Sequence, residues 1–551
     1  MGLLKTLMIA TATISVAACS NDSANTPAPS QNAAAANASA ASPIDREFTL
    51  AGAEEVSPDT IIALLSVGDN NPPTYDHATF DKSIGAVVFE NLRFADANDG
   101  DGLIVTRAEF FGVDADNIEK IKDTSLAAID ADFVTAFQRV RLFDISTFAS
   151  GEDEGQLSIG ALEFDTLALR EGGVNDALEI DAGAQFFNAV SLAGLYMKDF
   201  AVTLDNDDGN AVGFSVPDLR LVEFGGGKLK AFIANGLNYS VSQSPEVINA
   251  IADGMAPQVA AIFSGPLANF LAPGTQETSI ESFEWRDIDA SGALAWSLKD
   301  EDAPTTQRDL IDLGTFEAIN AVSVINGKQF AFIKETKLAA ASFIWMMPSD
   351  IRLTTKDAIY DFTAYIQDEE DPAHAILTAN GLNEVTGDGI ASWKWDDKSG
   401  AGAFAYEANT TGLADLALSI DVSDVTLNAL AAAAKIESDT PVGALKNFNL
   451  AVKDEALLDT IFEISALQTG GNAATLRNAA PAMLRLSALE LATYGPEYPR
   501  YVNAVADFIS EGGLLTISAE PEEPLAFTAL QSIDDPTAFP KILSLQIAHE
   551  K

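Results

Sequence analysis

Along much of this chain apolar and polar residues alternate one for one, a pattern that puts successive side chains on opposite faces of a strand. Four stretches carry the alternation around an acidic or glycine-containing turn: residues 91–110, 142–164, 198–224 and 283–298. Each predicts an antiparallel hairpin with one buried face. A shorter echo recurs along the chain. Asn91-Leu92-Arg93-Phe94, Asp218-Leu219-Arg220-Leu221 and Asp350-Ile351-Arg352-Leu353 share the order acid or amide, apolar, arginine, apolar. In a strand the two apolar side chains face one way, and the first residue and the arginine face the other.

The period changes to that of a helix in a few places. Residues 244–263 open with Ser-Pro-Glu and carry Val247, Ile248, Ile251, Val259 and Ile262, with Pro257 interrupting the run. Near the C-terminus Asp454 can cap a helix bearing Leu457, Leu458, Ile461, Phe462 and Ile464, and residues 473–492 and 498–509 predict two more. Residues 514–520 and 542–548 return to period two. The predicted fold class is therefore α+β and strand-rich: repeated antiparallel β-hairpins forming an elongated sheet or groove, with interspersed and C-terminal helices. The expected layout is a leader at 1–18 and a tether at 19–45. A hairpin-rich region at 46–300 follows, with a helical insert near 244–271, and then a β-rich region at 301–551 that ends in a helical segment.

Composition narrows the partners. With 47% hydrophobic residues over 551 positions, the chain has ample material for packed cores. Lys and Arg number 32 against 81 Asp and Glu, a formal net charge of −49. A field of that sign repels nucleic acids and anionic head groups, so nucleic acid is excluded as a partner. It suits solubility in a salty medium, and it favours divalent cations.

The N-terminus carries the clearest address. After a short segment with one positive charge at Lys5, the 13 residues Thr6–Ala18 are apolar or small. In a helix they rise roughly 20 Å, short of the ~30 Å hydrocarbon core of a bilayer. Cys19, the only cysteine, follows at once. Val16-Ala17-Ala18-Cys19 resembles the lipobox of bacterial lipoprotein precursors. The resemblance implies cleavage before Cys19 and acylation there by diacylglyceryl and palmitate-type chains, and Ser20 favours delivery to the outer membrane. Acyl chains contribute about 0.8 kcal/mol per buried CH₂, so three would hold the protein on a bilayer almost irreversibly. The competing reading is a plain secretory leader with an incidental thiol, a poor arrangement in an oxidising compartment. Residues 20–45 hold no large apolar side chain before Ile44 and read as a flexible tether. The expected location is a lipid-anchored position at the outer membrane, facing the periplasm or the cell surface.

Candidate chemistry is sparse. Two acidic turns offer oxygen donors: Asp96, Asn98, Asp99 and Asp101 in the first, and Asp205, Asp207 and Asp208 in the second. An EF-hand frame fails in both, since placing Gly102 or Gly209 sixth puts Ala97 or Leu204 first and Ala108 or Ser215 twelfth. Asn, Asp and Gly are also what tight turns demand, which leaves calcium as a secondary cofactor reading. No Gly-x-Ser-x-Gly elbow occurs, and His77, His374 and His549 stand apart from one another and from any second metal ligand. Gly225-Gly226-Gly227-Lys228 and Asn326-Gly327-Lys328 lack the rest of a P-loop. With Asp289 to Gly292 as a hairpin turn, Trp285 and Trp296 would stand opposite each other on one face, and Trp393 and Trp395 share a face by spacing. Cross-strand aromatic pairs stabilise sheets, and the same four rings would serve as a stacking platform for a sugar or an acyl chain.

The leading expectation is a non-enzymatic, membrane-anchored envelope lipoprotein that binds or transports apolar ligands such as lipid, or scaffolds envelope components. Through its hairpin repetition the mature part also resembles the strand-repeat periplasmic proteins of the AsmA-like kind, which implies lipid handling. The alternatives are a calcium-dependent surface-binding or adhesion module and a hydrolase that uses a carboxylate pair.

Overall fold

A computed structural model describes residues 43–66, 72–95, 102–126, 128–148, 155–173, 182–205, 211–242, 275–366, 368–435, 441–493, 495–531, 533 and 538–551. Cys19, most of the tether and the expected helix at 244–263 lie outside them. The chain divides into two units, whose described residues are 43–242, 275–303 and 310–318 in the first and 304–309 and 319–551 in the second. Both are strand-rich, and the fold is α+β.

The first unit is a meander of β1 (His77–Asp81), β2 (Ala86–Ala95), β3 (Gly102–Phe111), β4 (Phe133–Phe148), β5 (Gln156–Arg170), β6 (Val190–Asp205), β7 (Ala211–Gly225), β8 (Lys228–Ser242) and β9 (Thr275–Asp289). Each strand pairs antiparallel with the next. Three of the expected hairpins are thus formed, by β2–β3, β4–β5 and β6–β7. Helices α1 (Pro58–Leu65) and α2 (Ala115–Lys122) start where Ser57 and Asp114 accept the amides of Asp59 and Asn117. They bury Ile61, Leu64, Ile118 and Ile121. Helix α3 (Ala182–Ala189) adds Phe186 to the same core.

Strict alternation would put Phe89 and Leu92 on opposite faces, yet both are fully buried in one core. Asn91 between them adopts a left-handed φ of 52°. The ladder steps past it from Glu90–Arg107 to Leu92–Val105, so the inward parity resets. The same device crosses the sheet, with Asp144 (φ 50°), Asp199 (φ 51°) and Gly236 (φ 72°) at the matching place on β4, β6 and β8. A second row holds Thr166 on β5, Glu223 on β7 and Asp287 on β9. Pro217 lies in the first row, where the register of β6 and β7 steps from Lys198–Asp218 to Phe200–Val216. That gap in the ladder explains how a proline fits inside a central strand. These aligned creases let Ile159, Leu162, Phe164 and Leu167 of one strand, spaced by three, two and three, all enter one core.

The predicted hairpin at 283–298 is not formed. After β9 the chain turns into helix α4 (Ser291–Ser297), and Asp289 Oδ1 accepts the Ser291 amide at 2.9 Å and its hydroxyl at 2.6 Å. Trp285 pairs with Phe232 on β8, and Trp296 lies on α4, so the expected Trp285–Trp296 cross-strand couple is corrected.

The second unit contains most of β10 (Thr315–Ile325), then β11 (Lys328–Ile344), β12 (Met347–Tyr360), β13 (Val385–Asp396), β14 (Ala401–Thr411), β15 (Ala414–Ser423), β16 (Ala444–Asp454), β17 (Gly513–Ala519), β18 (Leu525–Ala526) and β19 (Gln546–Glu550). Strands β11 to β17 pair antiparallel in sequence, β19 joins β17, and β18 lies along β16. Asn326 and Gly327, both at positive φ, turn β10 into β11. Helices α5 (Pro372–Ala379) and α6 (Leu427–Lys435) sit in connections, and α7 (Leu457–Thr469), α8 (Ala473–Leu491) and α9 (Glu497–Glu511) form the expected C-terminal helical stretch. Asp454 accepts the Leu458 amide at 3.0 Å at the start of α7.

Candidate functional site

Register and sequence together make the sheet of the second unit amphipathic. One row runs from Leu353 through Ala391, Tyr406, Leu418 and Leu450 to Ile517, and the next from Ile351 through Trp393, Phe404 and Ile420 to Phe448. The row between them, on the opposite face, reads Arg352, Ser392, Ala405, Ser419, Asn449 and Ser518. Every residue of the two apolar rows just named is only half-buried. Burial of such side chains against a partner is what ordinarily stabilises a sheet face.

Within that face the side chains become small at alternate positions of β13, namely Gly387, Gly389 and Ala391, with Ala358 on β12 and Ala408 on β14 beside them. Larger groups stand around this floor: Phe330, Leu353, Tyr360, Phe362 and Tyr406. The result is an apolar cleft of about 310 Å³. A Cβ added at Gly389 would make ordinary contact with the Glu407 carbonyl at 3.8 Å and Thr355 Cβ at 3.9 Å, whereas one at Gly387 would lie 2.6 Å from the Asn409 carbonyl.

Apart from one acid, the lining is uncharged. Burial raises the phenol pKa of Tyr360, and it pushes that of Tyr365, whose ring lies 4.9 Å from Phe330, up to about 12. Asp388 is the one acidic residue lining the cleft. Its Oδ1 accepts the Asp357 amide at 2.8 Å, where Asp357 takes a left-handed φ of 50° and the β12–β13 register shifts. That carboxylate secures a bulge. A cleft of this size and lining can shelter apolar matter.

Three of the four candidate tryptophans are fixed by their ring N–H groups. Trp393 and Trp395 share the apolar face of β13, as their spacing predicted. Trp393 donates to the Pro348 carbonyl at 3.0 Å and packs over Gly402, where an added Cβ would sit 2.6 Å from the indole. Trp395 is buried and donates to the Val425 carbonyl at 2.7 Å. Trp285 donates to the Leu313 carbonyl at 2.6 Å and packs against the core of the first unit. Trp296 is half-buried, with the Lys299 ammonium 4.3 Å from its ring centroid. Only Trp393 and Trp395 are brought together on one face, and the cleft was not among the expected sites. The alternation of very small residues in Gly387-x-Gly389-x-Ala391 was its signal.

Of the candidate metal ligands, Asp96, Asn98, Asp99, Asp101, Asp207 and Asp208 lie outside the described residues, as does Cys19, and Asp205 ends β6 opposite Ala211. Among the described residues no group of three or more His, Cys, Asp or Glu is placed to hold a metal ion, and no helix is long and apolar enough to cross a membrane. His549 lies within 2.7 Å of the Gly512 carbonyl through Nε2, and His77 and His374 lie on β1 and α5.

A family model described only as an uncharacterized protein matches residues 407–550, from within β14 to the last residue of β19. No curated protein matches the chain.

Proposed function

We propose that the mature protein is a non-enzymatic lipoprotein of the cell envelope, moored at the outer membrane through acylated Cys19, whose second unit takes up the apolar part of a lipid. The observation that carries this reading is the half-buried apolar sheet face with its Gly- and Ala-floored cleft. The exposed part of a half-buried row of Leu, Ile, Phe and Tyr gains free energy from an apolar occupant at about 25 cal/mol per Å² covered. The lining, uncharged but for Asp388, and the net charge of −49 favour an occupant whose buried portion is neutral and whose head group is not anionic. Lipid handling and membrane mooring support each other, because a tethered body meets its ligand at the surface that supplies it.

The test is mass spectrometry of the protein extracted from membranes. Three acyl chains on an N-terminal Cys19 and a co-purifying neutral or zwitterionic lipid are expected. An unmodified Cys19 removes the mooring, and a lipid-free protein that also fails to bind added lipid removes the carriage.

A further inference from the structure

The outer face of the first unit, away from its core, holds charges that a sheet surface would leave in water. Glu163 is fully buried, and Arg141 is 5% exposed. What shields them includes the chain's own residues 44–50. Arg141 Nε binds Glu163 Oε2 at 2.7 Å, and its Nη2 donates to the carbonyls of Ile44 at 2.6 Å and Arg46 at 2.7 Å. A planar guanidinium with five donors suits two carbonyls spaced i, i+2 where the short 3-10 turn Pro43–Asp45 ends and the chain bends at Arg46. Phe48 then covers Arg139, whose guanidinium lies 4.0 Å from the ring centroid, and meets Phe111 edge-on at 4.9 Å. Lys198 pairs with Asp45 at 2.6 Å, and the Leu50 amide donates to the Ile84 carbonyl at 2.8 Å. These contacts lie on β3, β4, β6 and the β1–β2 turn, all remote in sequence from residue 44.

We propose that residues 44–50 are a mooring peptide, a docked segment that occupies a built peptide site on the first unit and takes up pull arriving through the tether before it reaches β1. The site recognises a peptide that opens in a 3-10 turn, by two carbonyls on Arg141, an aromatic ring on Arg139 and an acid on Lys198. The docking stands without the lipid anchor; its use as a mooring rests on the acylation of Cys19.

Trypsin cleavage of the full chain after Arg46 measures how often the strap lifts. Phe48→Ala removes the cation–π and aromatic contacts but leaves the body untouched, so cleavage is expected to be faster by about ten-fold with little change in the melting of the first unit. Arg141→Met is expected to accelerate it further. Should Arg141→Met fail to fold because Glu163 loses its partner, Phe48→Ala decides alone. Equal cleavage rates in Phe48→Ala and native chains, or cleavage that proceeds only as the whole unit melts, would overturn the proposal. Failure of the anchor is read separately, as an unmodified Cys19 peptide in the mass spectrum.

Discussion

The two units are built from the same antiparallel meander but treat their apolar faces differently. In the first, rows of left-handed residues reset the inward parity, so apolar side chains spaced by three join those spaced by two in one core, and Phe89, Phe110 and Phe164 are fully buried. In the second, β13, β14 and β15 keep an unbroken register and strict alternation, and the matching side chains stay half-buried. Alternation alone makes a sheet with a greasy side. Spending that side on the protein's own core takes creases, and where the creases are missing the face is left for something else.

The sharpest way to break this contrast is to truncate the same kind of side chain in both units and follow each unfolding transition in denaturant. Phe164→Ala is expected to cost the first unit about 3–5 kcal/mol, since it empties a fully closed site. In the second unit Gly402→Val drives a methyl into Trp393 and is expected to cost about 1–3 kcal/mol, with the first transition unmoved. Leu418→Ala, on the half-buried row, should cost only about 1 kcal/mol. A loss at Leu418 as large as that at Phe164 would mean that the second face is closed after all.

Proton linkage sharpens the picture of the first unit. Burial pushes the Glu277 carboxyl up from 4.5 to about 7, and its Oε2 has no hydrogen-bond partner among the described residues. The folded state then holds more protons than the unfolded chain between those values, so stability falls as pH rises from about 4.5 to about 7 and stays low above. Glu277→Gln should therefore melt a few degrees higher than the native chain at about pH 8, with the gain gone by about pH 4.5. A gain that does not vary with pH would place its cause elsewhere.

Much of the fold was legible in the chain. Alternation located β2–β7, Asp454 marked the start of α7, and all three Asn/Asp-x-Arg-x tetrads lie in strands. Two of them bear an ion pair: Arg93 binds Asp76, and Arg220 binds Asp218 within its own tetrad. The turn at Asp289 was misread because Asp, Ser and Gly begin helices as readily as they close hairpins, and α4 is too short to show a period. The creases were overlooked because a spacing of three inside a period-two run looks like an irregularity until the neighbouring strands show it in the same place. The strap site was beyond the sequence altogether, since nothing local ties Ile44 to Arg141. Gly387-x-Gly389-x-Ala391 was visible as text, but its meaning as a floor depends on which strands lie alongside.

The most direct test of the open face is lipid stoichiometry in the native chain and in Gly389→Leu, whose first side-chain carbon would stand at an ordinary contact distance of 3.8 Å from the Glu407 carbonyl. Native protein is expected to bind a neutral acyl lipid, with its second transition shifted upward on binding, while Gly389→Leu folds as stably but binds little or none. Equal binding by the two proteins, or none by the native one, would contradict an open face.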